Sequence, residues 1–210
     1  MVPGDRRPGR ADGVGHWGAM TDATPAPEPS PPGTDDRRPR YALWTALVWA
    51  VVYALDQVTK VLAVANLVEE GDPQPLVGDL LQLHLIRNPG AAFGFATGFT
   101  WIFTVLAAVV VVVVVRMSRK LRSLPWALAF GFLLAGATGN LTDRLLREPG
   151  FARGHVVDFL QLPHWPIFNV ADASICTAAV LIAVLAVRGT GLDGRRETRP
   201  ARTHQEAEGA

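Results

Sequence analysis

Four long apolar segments restrict this chain of 210 residues to a membrane architecture more strictly than any other feature of its sequence. The segments cover roughly residues 41–64, 99–115, 124–144 and 169–187. About 20 consecutive apolar residues cross the hydrocarbon core of a bilayer as a helix, whereas a soluble β-strand of that length would be unusual. We therefore predict an all-α integral membrane protein with four transmembrane helices.

The two ends of the chain differ in composition from this apolar centre. Residues 1–40 are rich in Pro, Gly, Asp and Arg, and they contain no apolar run. Such a composition cannot bury a hydrophobic core. Residues 189–210 are polar and rich in Arg. We expect two disordered tails that flank a four-helix membrane domain at 41–188.

The positions of the basic residues predict the orientation of the four helices. Clusters of Arg and Lys precede the first segment, separate the second from the third and follow the fourth. Cytoplasmic loops carry an excess of these residues, so we expect both termini in the cytoplasm. The loops at about 66–98 and 145–168 then lie outside the cytoplasm. Within the first loop, the alternation L-Q-L-H-L-I at 81–86 predicts a short strand.

Four aspartates lie in or beside the apolar segments, where ionisable groups are costly and indicate function. At 1.5 Å per residue from the cytoplasmic ends, Asp56 and Asp143 lie roughly 22 and 27 Å along their helices. Asp172 lies near the outer start of the fourth segment, and Asp158 lies in the outer loop that leads to it. The sequence therefore predicts that the four carboxylates meet in one layer, at the outer interface.

Two of these acids are candidates for catalysis. Asp56 has a basic residue four positions later on the same helix face, and Asp143 precedes Arg144, so both could be paired interfacial charges. Asp158 and Asp172 have no adjacent basic residue, and the sequence between them is apolar and aromatic. Two close carboxylates in a low dielectric share one proton. One can then act as base and the other as acid, which is the chemistry of aspartic proteases.

Other chemistries have weaker support in the sequence. Ser174 and Cys176 have no histidine at a helical spacing, which disfavours nucleophilic catalysis. The sequence shows no metal-ligand spacing and no phosphate-binding loop, so we expect neither metal nor cofactor. A net charge of +1 gives no sign of nucleic-acid binding. Two alternatives stay open: a small proton or ion transporter, which the lack of an internal repeat disfavours, and a non-catalytic membrane assembly protein.

Five short motifs, taken in order, resemble those of the lipoprotein signal peptidases (signal peptidase II). The motifs are D-Q-V-T-K at 56–60, N-P-G-A-A-F-G at 88–94, G-A-T-G-N-L-T-D-R at 136–144, V-V-D-F at 156–159 and F-N-V-A-D-A-S at 168–174. The resemblance implies an aspartic endopeptidase of the bacterial cytoplasmic membrane, with a small extracytoplasmic β-cradle and an active site on that face. It also implies cleavage of diacylglyceryl-modified prolipoproteins just before the lipidated cysteine, and inhibition by globomycin.

The same resemblance implies the roles of individual residues. It assigns the catalytic dyad to Asp158 and Asp172, and it implies a monomer in contact with membrane lipid, without a metal or cofactor. Gly94, Ala135 and Thr142 depart from residues common in the family, and they bear on substrate fit rather than on the dyad. The implied supporting positions are Asp56, Lys60, Asn88, Gly136, Asn140, Asp143, Arg144, Asn169 and Ala171.

Overall fold

Four helices and a small sheet make up the part of the chain that the structure, a computed structural model, describes: residues 38–90 and 100–196. In chain order the elements are α1 (Arg38–Asn66), β1 (Gln74–Val77), β2 (Leu81–Asn88), α2 (Thr100–Ser118), α3 (Leu124–Leu146), β3 (Val156–Gln161) and α4 (Val170–Val187). All four helices are long and apolar enough to cross a membrane. The predicted fold class is therefore confirmed.

Helix α3 lies at the centre of the bundle and contacts α1, α2 and α4. Half of its apolar stretch is buried, against 17 to 22% in the other three helices. Its glycines permit this close approach: a Cβ on Gly131 would lie 2.7 Å from Cβ of Val48 in α1, and one on Gly136 would collide with the carbonyl oxygen of Ala171 in α4. Small residues serve the same purpose in membrane helix pairs generally.

Two apolar clusters define the two ends of the bundle. The first joins the start of α1, the end of α2, the start of α3 and the end of α4, and it includes Tyr41, Val114, Leu121, Ala127 and Ile182. The second joins the last part of α1 to the sheet, through Ala63, Leu85, Val157 and Phe159. The sheet therefore covers the end of the bundle opposite the first cluster.

The sheet is antiparallel, with the strand order β1-β2-β3. The strand predicted at 81–86 is confirmed as β2, which extends to Asn88. Strand β3 is a correction, because the sequence places Asp158 in a loop whereas the structure places it in a strand. The first four residues of β3 are all buried, so apolar residues flank the acid without the alternation that marks a half-exposed strand.

Residues 189–196, which the sequence places in the C-terminal tail, form turns against the start of α3. Trp126 Nε1 donates to the carbonyl oxygen of Thr190 at 3.0 Å. The backbone N–H of Arg122 donates to the carbonyl oxygen of Leu192, also at 3.0 Å. Residues 38–40, which the sequence places in the N-terminal tail, are the start of α1. The rest of both predicted tails, and most of the N-P-G-A-A-F-G motif including Gly94, lie outside the described residues. The domain boundaries therefore stay a prediction.

Candidate active site

Asp158 lies at the third position of β3, and its side chain is 1% exposed. Each of its carboxylate oxygens accepts a hydrogen bond from a side-chain amide. Asn169 Nδ2 donates to Oδ1 at 2.6 Å, and Asn88 Nδ2 donates to Oδ2 at 2.8 Å. Asn88 ends β2 and pairs with Val156 in the sheet register. The pairing of β2 with β3 therefore positions an amide donor beside the acid.

The environment of Asp158 favours its protonated form. Burial is the larger cause, and together with the negative charge of Asp172 it raises the pKa of Asp158 from 3.8 to about 7. The hydrogen bonds from Asn88 and Asn169 stabilise the ionised form and oppose this rise only in part. Asp158 can therefore hold a proton close to neutral pH, as the acid member of a carboxylate pair must.

Asp172 is held by the first turn of α4. Asn169 caps this helix: its Oδ1 accepts from the backbone N–H of Asp172 at 2.9 Å, while its own backbone N–H donates to Asp172 Oδ2 at 3.3 Å. Asn140 of α3 donates to the other oxygen, Oδ1, at 2.7 Å. The spacing N-x-x-D at 169–172 is a variant of the capping box. This spacing is a local signal in the sequence for a helix that begins at Val170.

Asn169 connects the two acids directly. Its side-chain amide donates to Asp158, and its side-chain oxygen accepts from the backbone N–H of Asp172. The same amide also lies 3.2 Å from Asn140 Oδ1. The structure thus brings a strand and a helix start together around one fully buried asparagine. Both predicted acids lie at this site, while their catalytic role stays a prediction.

Lys60 of α1 is a fully buried cation near this pair. Its Nζ lies 3.0 Å from Asp56 Oδ2 and 2.8 Å from Asp143 Oδ2, and all three side chains are fully buried. It also donates to Asn140 Oδ1 at 3.1 Å. An ammonium group has three donors, and these three acceptors match them. Lys60 therefore joins α1 to α3 and orients the asparagine that contacts Asp172.

Both partners of Lys60 also bind backbone near the acids. Asp56 Oδ1 accepts from the backbone N–H of Ala171 at 2.9 Å, and Asp143 Oδ2 accepts from that of Val157 at 3.2 Å. Ala171 directly precedes Asp172 in the chain, and Val157 directly precedes Asp158. The two buried carboxylates therefore hold the backbone beside each member of the proposed dyad. A Cβ on Gly139 would lie 2.5 Å from Asp56 Oδ2, so this glycine leaves room for the carboxylate.

Asp143 and Asp56 each have one further partner that was not predicted from the sequence. Arg147 Nε lies 2.6 Å from Asp143 Oδ1, and Gln57 Nε2 donates to Asp56 Oδ2 at 2.9 Å. The spacing of four residues between Asp143 and Arg147 was available as a signal. Asp143 forms ion pairs with Lys60 and Arg147, and its neighbour Arg144 interacts with it electrostatically.

Arg144 also borders an apolar cleft of about 250 Å³ between α2, α3 and α4. Its Nη1 donates to the carbonyl oxygen of Asn140 at 3.2 Å, and its guanidinium lies 5.9 Å from the ring centroid of Phe103. Its buried Nε has no hydrogen-bond partner within residues 38–90 and 100–196. An unused donor at the end of an apolar cleft suits a carbonyl oxygen of a bound peptide. We name this space the Arg144 cleft.

The same described ranges contain no group of three or more His, Cys, Asp or Glu side chains arranged to hold a metal ion. Four membrane-spanning helices with paired aspartates beside a small sheet are the architecture of a multi-pass membrane enzyme. Two solved structures described as bacterial membrane enzymes share this fold. The first is 28% identical to this chain with a TM-score of 0.62, and the match covers 74% of this chain and 94% of the solved chain. The other is 31% identical with a TM-score of 0.61, covering 70% and 94%.

The family model of signal peptidase (SPase) II matches residues 48–188, and the chain belongs to this family. It is 50% identical over 169 residues to a lipoprotein signal peptidase of Rhodococcus jostii, covering 80% of this chain and 83% of the relative. It is 51% identical over 153 residues to that of Leifsonia xyli, covering 72% and 70%. For Streptomyces coelicolor the identity is 46% over 186 residues, covering 87% and 91%. The resemblance read from the motifs is confirmed, and the chain is a peptidase of a bacterial membrane.

Proposed function

We propose that this chain is an aspartic endopeptidase that removes the signal peptide from diacylglyceryl-modified prolipoproteins, just before the lipidated cysteine. The observation that carries the proposal is the bridging of Asp158 and Asp172 by Asn169. Membership of the signal peptidase II family supports the reaction, and relatives named lipoprotein signal peptidases support the substrate class. The dyad is the chemical part of the proposal, and the lipidated precursor is the substrate part.

The surroundings of the two acids support different roles. Asp172 lies in the first turn of α4, where a negative charge interacts favourably with the helix dipole. Asp158 is the more buried acid, and its pKa of about 7 allows it to keep a proton. We therefore assign Asp172 as the general base and Asp158 as the general acid.

The reaction then proceeds in two steps with balanced proton transfers. Asp172 takes a proton from water as the water oxygen attacks the scissile carbonyl carbon, and Asp158 gives its proton to the carbonyl oxygen. The resulting gem-diol collapses when Asp158 takes back a proton from one hydroxyl and the C–N bond breaks. Asp172 gives its proton to the leaving amine, so both acids return to their starting states.

The other residues of the site hold the two catalytic carboxylates in place, join the helices or bind the substrate. Asn88, Asn140 and Asn169 hold the carboxylates through the hydrogen bonds described above. Lys60, with its two carboxylate partners, holds Asn140 and joins two helices. Gly136 and Ala171 contribute small size at a close helix contact. Arg144 is assigned to binding of a peptide carbonyl of the substrate.

The placement in the membrane is also part of the proposal. The basic residues at 116–122 lie in the last turn of α2 and in the connection to α3, at the end of the bundle away from the sheet. This supports a cytoplasmic location for that end. The termini would then be cytoplasmic and the dyad extracytoplasmic, within a membrane domain at 41–188. Apolar side chains such as Leu55, Val109 and Val180 are exposed on the helices, which supports contact of a single chain with lipid.

Purified protein in lipid nanodiscs is expected to cut a diacylglyceryl-modified precursor before its cysteine and to leave the unmodified precursor intact. The reason is that the proposed substrate includes the lipid, which brings the scissile bond to the membrane surface. Mass spectrometry of the products gives the cleavage position, and globomycin added to a parallel reaction should stop it. Equal cleavage of both precursors would contradict the substrate assignment. Proton flux in liposomes without any cleavage would favour a transporter.

The pH dependence of kcat/KM tests the assignment of Asp158 as the acid. As pH rises through about 7, Asp158 loses its proton, so kcat/KM should fall by about tenfold per pH unit above that point. In Asn88→Ala the ionised carboxylate loses a hydrogen bond, which raises the pKa of Asp158 and moves the fall to higher pH. Gln82→Ala, on the same strand, is the control and should leave the profile unchanged. A shift to lower pH in Asn88→Ala would refute the assignment.

A further inference from the structure

A pocket of about 330 Å³ lies between the start of α1 and the start of α3, at the end of the bundle opposite the sheet. Arg40, Tyr41 and Trp44 of α1 and Leu124 of α3 line it. Arg40 and Leu124 are also the first residues of two of the membrane-spanning segments. The pocket therefore lies where the hydrocarbon core ends, at the level of the lipid headgroups. We name it the Arg40 pocket.

The walls of the Arg40 pocket are held by contacts between the two helices. Thr45, which follows Trp44 in the chain, donates from its Oγ1 to the carbonyl oxygen of Ala127 at 3.1 Å. Tyr41 packs against the apolar cluster at this end of the bundle. The pocket is therefore part of the folded bundle, rather than a gap between two loose helix ends.

The pocket offers donors that no protein group uses. Within residues 38–90 and 100–196, neither the guanidinium of Arg40 nor the indole N–H of Trp44 has a hydrogen-bond or ion-pair partner. The two residues are four apart, so both project from one face of α1. A guanidinium binds a phosphate through two parallel N–H groups, and an indole at a membrane interface has a polar edge. The pocket therefore suits a negatively charged phosphate group.

The surroundings of the Arg40 pocket carry an excess of positive charge. The basic residues at 116–122 and 188–196 lie at the same end of the bundle, and these two stretches contain one acid, Asp193. Asp193 Oδ1 already accepts from the backbone N–H of Arg195 at 3.0 Å. An anion is therefore attracted to this end, and basic pockets between membrane helices bind anionic headgroups for the same reason.

An exposed apolar stripe continues from the pocket along α1 towards the bilayer centre. After Trp44 it includes Leu47, Val51 and Leu55, at spacings of three and four residues on one helix face. These three side chains are 49 to 59% exposed. A soluble phosphate has no group to place on such a stripe, whereas acyl chains attached to a phosphate would lie along it. We infer that the Arg40 pocket binds the headgroup phosphate of an anionic phospholipid, whose acyl chains lie along this stripe.

A lipid bound in this way would join α1 to α3. Helix α1 contributes Arg40 and Trp44, and α3 contributes its N-terminal turn at Leu124, where a negative charge is favourable. Because the lipid binds the packed helices and not the separated ones, it stabilises the folded bundle. Anionic lipid should therefore raise the melting temperature of the wild-type protein, and the increase should require Arg40.

Native mass spectrometry of the full chain tests the site. The protein is released from nanodiscs that contain equal amounts of phosphatidylglycerol and phosphatidylcholine, and the lipids that remain bound are counted. Arg40→Gln is expected to lower the ratio of retained phosphatidylglycerol to phosphatidylcholine by about fivefold, the effect of one basic group near a membrane surface. Arg188→Gln is the matched control, because it removes an exposed charge from the same end without lining the pocket. It should keep the wild-type ratio.

Melting curves in a neutral detergent give a second measurement and separate a lipid from a soluble phosphate. Phosphatidylglycerol should raise the melting temperature of the wild-type protein more than phosphatidylcholine does, and Arg40→Gln should remove this difference. Inorganic phosphate alone should have no such effect. Arg40→Lys keeps the charge and should retain part of the selection, which distinguishes loss of the site from misfolding of the chain.

Three results would overturn the inference. The first is a wild-type protein that shows no preference for the anionic lipid. The second is an equal fall of the ratio in Arg40→Gln and Arg188→Gln, since the general charge of this end would then account for the retained lipid. The third is equal stabilisation by inorganic phosphate, which would identify a soluble anion as the ligand. None of these measurements depends on peptidase activity, so the proposed function and this site are tested separately.

Discussion

Asp158→Asn and Asp172→Asn are each expected to lower kcat for a lipidated precursor by about 10⁴-fold, the upper range for loss of a general acid or base. Asparagine keeps the shape of the side chain but can neither carry the proton of Asp158 nor accept one from water in place of Asp172. Both variants should still insert in the membrane, because the helices do not depend on either charge. The measurement is single-turnover cleavage in nanodiscs, together with a melting curve for each variant.

Asp79→Asn is a suitable control for this pair, because Asp79 is an exposed acid in the turn between β1 and β2. It removes the same charge from the same end of the protein, and it should retain wild-type activity. Full activity in either dyad variant would refute the catalytic assignment. Equal losses in all three variants would show that the general charge of this face matters, rather than the pair.

Lys60→Met is expected to cause the largest loss of stability, about 3 to 5 kcal/mol, which is typical when one partner of a buried ion pair is removed. The substitution leaves Asp56 and Asp143 fully buried without their shared cation. Reversible unfolding in mixed micelles, followed by tryptophan fluorescence, gives the free energy of unfolding. Neutralising both acids together with Lys60 should recover much of the loss, since neither fully buried carboxylate is then charged.

The control for Lys60→Met is Arg87→Met, which breaks a partly exposed ion pair. Arg87 Nε lies 3.0 Å from Glu69 Oε2, and the two side chains are 27% and 46% exposed. Solvent-exposed pairs contribute about 0 to 1 kcal/mol. If Lys60→Met loses no more stability than this control, the buried cluster does not hold the helices together.

The helices and the common depth of the acids could be predicted from the sequence because the bilayer imposes a length and a polarity. Any apolar segment of sufficient length is restricted to a spanning helix, and the rise per residue then gives the depth of Asp56 and Asp143. The carboxylates meet in the structure as this counting predicts, through Lys60 and the asparagines. The predicted roles of these residues await the experiments above.

Strand β3 and the partners that the acids find on other elements could not be predicted, because they depend on contacts between distant parts of the chain. Asn88 and Asp158 are 70 residues apart, and their hydrogen bond exists only once β2 and β3 pair. Strand β3 is buried against α1 and β2, so its sequence lacks the period-two pattern of β2. The ion pair between Asp143 and Arg147 is local, and helical spacing alone was enough to predict it.

Asn169 performs two tasks that are usually separate, since it caps α4 and also connects the two acids. A chain whose last helix has not yet entered the bilayer has no ordered cap at this position, so its carboxylates are not yet juxtaposed. Newly synthesised protein should therefore have no peptidase activity until α4 is inserted in the membrane. Cleavage activity would then first appear when all four helices of the chain are inserted in the membrane.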